Sequence, residues 1–311
     1  MTARTLGRPD LCSVVCRQLD EPMPGTAVVA SGWVVVEQPG PWGRKAPTES
    51  RLDPAFGATI DAECKKADLR FGLIRSPGRR RDIEPPPHQV YVASSVPGRT
   101  WLLGGRVTDP AALSGLDLQA VKRGDRDAVV ASMPELAPTT DPVMLVCTNG
   151  KRDECCAVYG RPLIDALAGQ VPGRVWESSH LSGHRFSPTA AVLPYGTLHG
   201  RLTAESALAV LDAADRGETV VPTLRGRSAW TKRGQVAEIA VRNLTGEVAL
   251  DALSVMAESL DTVSVRHTDG RTWTVQVTSA PADPPRPESC GKETYDMSIL
   301  RAGTVTPGGH R

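Results

Sequence analysis

The sequence VMLVCTNGKRDECCAVYG (residues 143–160) is the most informative stretch in the second half of this 311-residue chain. Its first five residues are apolar and predict a buried strand that ends at Cys147. A polar loop follows, and a helix is predicted from about Cys155 to Ala168. A strand is therefore followed, after one loop, by a helix, as in an α/β unit.

The rest of this half continues the same pattern. Strands are predicted in RVWESSH (174–180), TAAVLPYG (189–196) and GTLHGRL (196–202), and Thr203 is a suitable cap for a helix up to Gly217. The order strand–helix–strand–strand–helix predicts an α/β fold in which helices cover a mixed sheet in a thioredoxin-like layer.

The first half of the chain begins in a similar way. Its predicted elements are a strand in 27–38, a helix over about Leu52–Ala67, strands in 69–75, 90–95 and 100–107, and helical segments reaching about Met133. The loop PELAPTTDP (134–142) closes this half. We therefore expect an N-terminal α/β domain over residues 1–138 and a second domain over 139–311. The shared order of elements indicates either a diverged duplication or the usual start of an α/β unit.

A C-terminal extension begins at about residue 226. Helices are predicted in QVAEIAVRN (235–243) and EVALDALSVMAES (247–259), and a hairpin follows with Asp269-Gly270 as a tight two-residue turn. The second domain is therefore expected to carry a helix-plus-hairpin extension.

Composition excludes some partners. The net charge of +1 argues against a general nucleic-acid binder, which needs a concentrated basic surface. No run of 18 apolar residues is present, so no membrane span is expected. The apolar stretch near the N-terminus is too short and too interrupted for a signal peptide. We therefore expect a cytoplasmic protein whose thiols stay reduced.

The seven cysteines are unevenly distributed. Cys147, Cys155 and Cys156 lie within ten residues, which in a reducing compartment indicates metal binding or redox chemistry rather than a disulfide framework. Cys290 is either a packed thiol or a redox partner. Small buried thiols are expected at the remaining three positions: Cys12, Cys16 and Cys64.

Two cysteines and two histidines form the candidate site. Cys147 and Cys156 are separated by eight residues, and His180 and His184 by three. Two thiolates and two imidazoles suit zinc or an iron–sulfur cluster and exclude metals that bind only oxygen. Zinc sites prefer cysteines two to four residues apart, and a chain without metal is the third alternative. Cys155 is a rival of Cys156, because neighbouring helix positions point about 100° apart and only one can face a given site.

Three stretches resemble a known family. CTNGKRDECCAVYG (147–160) and WESSHLSGHRFSPTAAVLPYG (176–196) resemble the signature of the sucrase/ferredoxin-like family of thioredoxin-like ferredoxins, whose motif is C-x8-C followed by H-x-G-G-H. GTAVVASGWVVVEQPGPWG (25–43) resembles the N-terminal signature of that family, so the resemblance covers most of the chain. The word "sucrase" in the family name implies no sugar chemistry.

The resemblance implies a thioredoxin-like ferredoxin domain with one 2Fe–2S cluster. By this likeness Cys147 and Cys156 hold one iron, and His180 and His184 hold the other, reducible one. The family spacing selects Cys156 over Cys155. Ser182 departs from the motif, since the family has glycine there, and this departure bears on the reduction potential rather than on the ligands.

Other polar residues have two interpretations. Lys151, Arg152, Ser182 and Arg185 either belong to solvated turns or place hydrogen-bond donors and charge near the cluster, which would tune its potential. The basic residues Arg225, Arg227, Lys232 and Arg233 form either a solvated face or a docking surface for an acidic electron-transfer partner.

The expected function is one-electron transfer coupled to proton uptake. We expect a carrier, or a small reductase of a ferric chelate or small oxidant, whose partners are an electron donor and an electron acceptor. The alternative is a redox-sensing or regulatory module whose cluster controls a protein contact. A dithiol oxidoreductase is disfavoured because the chain lacks a C-x-x-C motif.

Overall fold

The computed structural model describes residues 10–78, 87–294 and 296–308. Its helices are α1 Cys12–Gln18, α2 Ala46–Glu49, α3 Pro54–Lys66, α4 Leu118–Arg123, α5 Arg126–Ser132, α6 Glu154–Leu167, α7 Ala204–Asp215 and α8 Lys232–Thr245. Short 3₁₀ turns cover Pro110–Gly115, His184–Phe186 and Val221–Thr223. Within the described ranges, none of these helices combines the length and the apolar character needed to span a bilayer.

Most of the strands are interspersed with these helices, and the last four follow α8. They are β1 Gly32–Glu37, β2 Leu69–Arg75, β3 His88–Ser94, β4 Trp101–Val107, β5 Leu136–Pro138, β6 Val143–Cys147, β7 Val175–Ser178, β8 Ala190–Leu193, β9 Thr197–His199, β10 Leu224–Arg227, β11 Leu253–Glu258, β12 Thr262–His267, β13 Thr272–Pro281 and β14 Ser298–Pro307. The predicted α/β class is confirmed. The predicted loop 134–142 contains the short edge strand β5.

The first ten strands form one mixed sheet in the order β10-β9-β8-β6-β7-β2-β1-β3-β4-β5. In each half a parallel pair, β1–β2 or β6–β7, is connected through a helix, because parallel neighbours need a crossover. Antiparallel strands then extend each pair outward: β3, β4 and β5 in the first half, and β8, β9 and β10 in the second. The two halves thus repeat the same strand order and directions, which is the pattern that a duplication leaves.

The halves meet where β2 pairs antiparallel with β7, through Ile74 opposite Ser178 and Arg75 opposite Glu177. The repeat junction along the chain lies in residues 139–142, between β5 and β6. Because both halves share one sheet, a boundary at residue 138 separates two repeats rather than two detached bodies. The division into two domains stays a prediction.

Apolar side chains that alternate along the strands form a hydrophobic core on each side of the sheet. In β1, Val34 and Val36 belong to the core under the helices of the first half, whereas Trp33 and Val35 face a second core on the opposite side. That second core is built from both halves and includes Cys147 and Cys156. The two cysteines therefore lie inside the layer that joins the repeats.

The C-terminal extension contains more sheet than expected. Helix α8 packs on a four-stranded antiparallel sheet, β11-β12-β13-β14. The second predicted helix, residues 247–259, is wrong, because this stretch forms β11 and pairs with β12. The predicted hairpin is present as β12 and β13, but its turn is also different: Arg266 pairs with Thr272, and only Gly270 of the turn has a positive φ, of 96°.

Candidate metal centre

The end of β6 and the start of α6 bring two thiols together. The backbone N–H groups of Arg152 and Asp153 donate to the carbonyl of Asn149, at 3.1 and 3.2 Å, and turn the loop back on itself. The Asp153 carboxylate then caps α6 by accepting from the N–H of Cys155 at 2.9 Å. At Gly160 a Cβ would overlap the carbonyl of Cys147, so only glycine lets the helix approach the strand this closely.

The two histidines lie on the loop that follows β7. Ser182 and Gly183 both have left-handed backbone, with φ of 65° and 69°, and this folds the loop tightly between the histidines. The ring centroids of His180 and His184 are 5.4 Å apart. The sharp turn therefore points both imidazoles toward the same region.

The structure brings all four predicted residues to one place. One ligand atom from each of Cys147, Cys156 and His180 lies within 4.8 Å of the other two. His184 stands next to His180 but outside this group of three. Both thiols and His184 are buried, while His180 is partly exposed. The four side chains thus form a compact set with the histidines on its outer side.

The buried polar atoms of the site lack ordinary partners. Nδ1 of His180 and both ring nitrogens of His184 make no hydrogen bond with any described residue. Two acceptors lie near the His184 ring: the Asp153 carboxylate, 3.5 Å from Nε2, and the backbone carbonyl of Glu288. Neither has the geometry of a hydrogen bond to the ring. Buried polar groups are normally satisfied, and an unmade bond costs about 1–3 kcal/mol. A metal bound to one nitrogen of each ring would account for these unmade hydrogen bonds.

The protonation states also suit a metal. Burial lowers the pKa of His184, which keeps its imidazole in the neutral form that binds metals. A hydrogen bond with Cys156 lowers the pKa of the Cys147 thiol well below its usual range and raises that of Cys156. The hydrogen bond between the two sulfurs therefore favours the thiolate form, which binds metals, at Cys147.

Two arginines that the sequence did not single out as neighbours of the site contact the histidine loop. Arg225 of β10 is fully buried and donates to the carbonyl of Ser182 at 3.1 Å, and burial lowers its pKa to about 9. Arg70 of β2 donates to the carbonyl of His180 at 2.7 Å. Neither arginine is near His180 in the sequence, so no spacing could reveal it.

The buried arginines also correct the predicted docking surface. Arg225 and Arg227 are 0% and 1% exposed, and Arg227 donates to carbonyls and to Asp251 instead of facing solvent. A basic patch formed by Arg225, Arg227, Lys232 and Arg233 is therefore wrong, because half of it lies inside the protein.

The four other residues predicted near the cluster have different positions. Arg152 and Ser182 line a cavity of about 780 Å³ onto which both histidines open. Lys151 is exposed and lines a separate cavity beside Trp42. Arg185 forms an ion pair with Glu21 at 2.7 Å, so its charge is paired with that carboxylate and not with the histidine site.

Part of the chain matches a known protein family. A family model described as Sucrase/ferredoxin-like matches residues 23–226, which is more than half of the chain. The matched part runs from before β1 into β10 and contains the two cysteines and two histidines. No curated protein and no solved structure matches the chain.

Proposed function

Because this chain belongs to the sucrase/ferredoxin-like family, we propose that it binds one 2Fe–2S cluster and transfers electrons with it. The proposed ligands are Cys147, Cys156, His180 and His184. The observation that carries the proposal is the set of buried, unpartnered imidazole nitrogens beside two buried thiols. Family membership and this group of thiol and imidazole donors fit a metal redox role.

The spread of the four side chains favours a cluster over one zinc ion. A single zinc ion holds all its donors within about 2.3 Å of one centre, so the four donors lie close to each other. Here Cys147, Cys156 and His180 meet that condition but His184 does not join them. A two-iron cluster distributes its ligands over two metal atoms and suits the wider arrangement.

The protein's own residues would set the redox properties. When bound, the cluster supplies one-electron chemistry, and two neutral histidine ligands in place of thiolates raise its potential. Arg70 and Arg225 fix the histidine loop through the carbonyls of His180 and Ser182. The Asp153 carboxylate faces the ring of His184, as carboxylates do behind metal-bound histidines, and would orient that ring.

The histidine side is the expected route for electrons and protons. His180 is partly exposed and both rings open onto the cavity lined by Arg152, whereas the cysteines are buried. We therefore propose that the electron donor and acceptor approach through this cavity, and that the chain acts as a carrier or small reductase rather than through thiol exchange.

A second candidate rests on the contact between the two halves. Arg70 belongs to the first half of the chain, yet it bonds directly to the carbonyl of His180. A change of cluster state could pass through this contact to the first half. This observation supports the regulatory alternative, in which cluster loss alters a protein contact.

The test is anaerobic purification with metal and sulfide analysis. We expect a red-brown protein with about two irons and two acid-labile sulfides per chain. Cys147→Ser and Cys156→Ser should each reduce the iron content strongly, while Cys64→Ser, at a buried cysteine in another core, is the matched control. A colourless protein with zinc bound by these four residues would refute the proposal. Cluster-dependent partner binding without electron transfer would favour the regulatory alternative.

A further inference from the structure

A second group of cysteines lies beside the first and has no role in the proposed function. The Sγ atoms of Cys12, Cys155 and Cys290 form a triangle with sides of 3.5, 3.2 and 3.5 Å. The carboxylate of Asp153 joins it, with Oδ1 3.8 Å from Sγ of Cys12. These residues come from α1, the start of α6 and the loop between β13 and β14.

The surroundings of the triangle suit thiolates. Cys12 and Cys155 are buried, and Cys290 is partly buried. The hydroxyl of Ser13 donates to Sγ of Cys155 at 3.1 Å, and the backbone N–H of Cys290 donates to Oδ2 of Asp153 at 2.9 Å. Hydrogen-bond donors that face sulfur and carboxylate oxygen are what a buried group of negatively charged ligands requires.

We propose that Cys12, Cys155, Cys290 and Asp153 bind one zinc ion. Three soft thiolates and one carboxylate are a zinc-type donor set and are unsuited to calcium or magnesium. Sulfurs bound to one zinc ion at about 2.3 Å lie within about 4 Å of each other, close to the observed triangle. A 4Fe–4S cluster would hold these sulfurs further apart, because each thiolate binds a different iron, and a 2Fe–2S cluster would divide the four donors into two separate pairs. No pair within the triangle stands out as a disulfide.

The ion would fasten two flanking segments to the helix that carries the proposed cluster ligand Cys156. The family match covers residues 23–226, so Cys12 and Cys290 both lie outside it. Asp153 also caps α6 and accepts from Ser289 at 2.8 Å, so the site is tied to the helix start and to the C-terminal loop. The vicinal cysteines thus have separate tasks: Cys155 faces zinc and Cys156 faces Cys147.

The test measures zinc, iron and sulfide in the full-length protein, expressed with both metals. We expect about one zinc per chain in the unmodified protein. Cys155→Ser should lose at least about nine-tenths of the zinc and keep its iron, whereas Cys156→Ser should keep zinc and lose iron. Cys16→Ser is the matched control, because Cys16 is buried on the same helix as Cys12 but lies outside the group. It should keep both metals.

Two further measurements make the result decisive. Cys290→Ser changes a partly buried residue, so it provides the zinc measurement even if Cys155→Ser fails to fold. Limited proteolysis should then cut α1 or the segment 282–294 faster in the variant that lacks zinc. Zinc retained in both Cys155→Ser and Cys290→Ser would overturn the proposal, as would a zinc-free native protein with a disulfide among the three cysteines. Absence of iron alone would refute the cluster and leave the zinc site standing.

Discussion

Two neighbouring residues between the histidines show how the backbone constrains the site. Ser182 has a left-handed φ of 65°, a region that costs a residue with a Cβ about 1–2 kcal/mol relative to glycine. We predict that Ser182→Gly keeps the iron content and raises the free energy of unfolding by up to about 1 kcal/mol, after the entropy cost of glycine. Urea unfolding with iron analysis measures both. A large loss of stability would contradict the backbone account.

Gly183→Ala tests the same loop in the opposite direction. Gly183 has a φ of 69°, and a Cβ there would overlap the guanidinium of Arg225. We predict that this variant is destabilised by roughly 2 kcal/mol or more and binds less iron, since both backbone strain and the clash act on the loop. Gly173→Ala is the control, because it also has positive φ but has nothing near its Cβ. Equal effects at the two glycines would exclude a special role for the contact with Arg225.

The sequence predicted the metal-ligand candidates but not the residues that hold them in place. The spacing of Cys147, Cys156, His180 and His184 reveals a chemical set because adjacent loops carry them. Arg225 looked like part of an exposed basic stretch, yet it is buried against the histidine loop. Burial of a distant arginine depends on tertiary packing, which no local pattern records.

Among the elements, strand β9 carries a histidine that makes stability depend on pH. His199 is 1% exposed, its ring contacts the hydroxyls of Thr223 and Thr197, and burial lowers its pKa to about 3. The unfolded state, with a pKa near 6.5, therefore binds more protons in acid, so stability falls as the pH drops from about 6.5 toward 3. The slope from this group is at most about 1.4 kcal/mol per pH unit.

His199→Gln removes the titration and keeps an amide that can bond to a hydroxyl. We predict a flatter fall in the free energy of unfolding between about pH 6.5 and 4 than in the unmodified protein, measured by urea unfolding at each pH. Parallel pH profiles for His199→Gln and the unmodified protein would show that another group dominates.

The extension shows where local patterns mislead. Residues 247–259 are rich in Ala, Leu and Glu, which favour a helix, yet they contain β11. Leu253 and Val255 face the extension's core and pair across to β12, with Val255 opposite Val265. Helix α7, by contrast, was predictable because its Thr203 cap and apolar face are local features. Strand pairing is non-local and overrides weak propensity.

For the whole molecule, the central feature is the joint between the two repeats. Arg75 of β2 and Glu177 of β7 form a buried ion pair at 2.8 Å, with 6% and 0% of their side chains exposed. Thr148, directly after Cys147, donates to the same carboxylate oxygen at 2.6 Å. The joint is therefore connected to the strand that carries the first proposed ligand.

Replacing Arg75 removes the positive charge that faces the buried carboxylate of Glu177. We predict that Arg75→Met lowers the free energy of unfolding by about 3–5 kcal/mol, and that adding Glu177→Met recovers part of this loss. Chemical unfolding of the single and double variants measures the coupling. Lys66→Met, which removes an exposed pair with Glu63, should change stability little. Additive losses in the double variant would mean that the pair is not coupled.

The repeat itself was only partly predictable. Both halves begin with an apolar strand followed by a helix, but their sequences do not show that β2 and β7 join them edge to edge. That joint depends on residues about 100 positions apart, such as Ile74 and Ser178. The sequence likewise could not show that Cys12 and Cys290 would meet Cys155, since these contacts span most of the chain.

We propose above that two histidines, His180 and His184, bind a 2Fe–2S cluster in this fold. The most direct measurement is pulsed EPR on the chemically reduced protein, grown with either natural or ¹⁵N-labelled histidine. We predict an unpaired-electron signal with two strongly coupled histidine nitrogens, whose couplings change with the label, and one fewer coupled nitrogen in His184→Cys. A reduced cluster signal without histidine coupling, or no cluster signal in protein prepared anaerobically, would refute histidine ligation of a 2Fe–2S cluster.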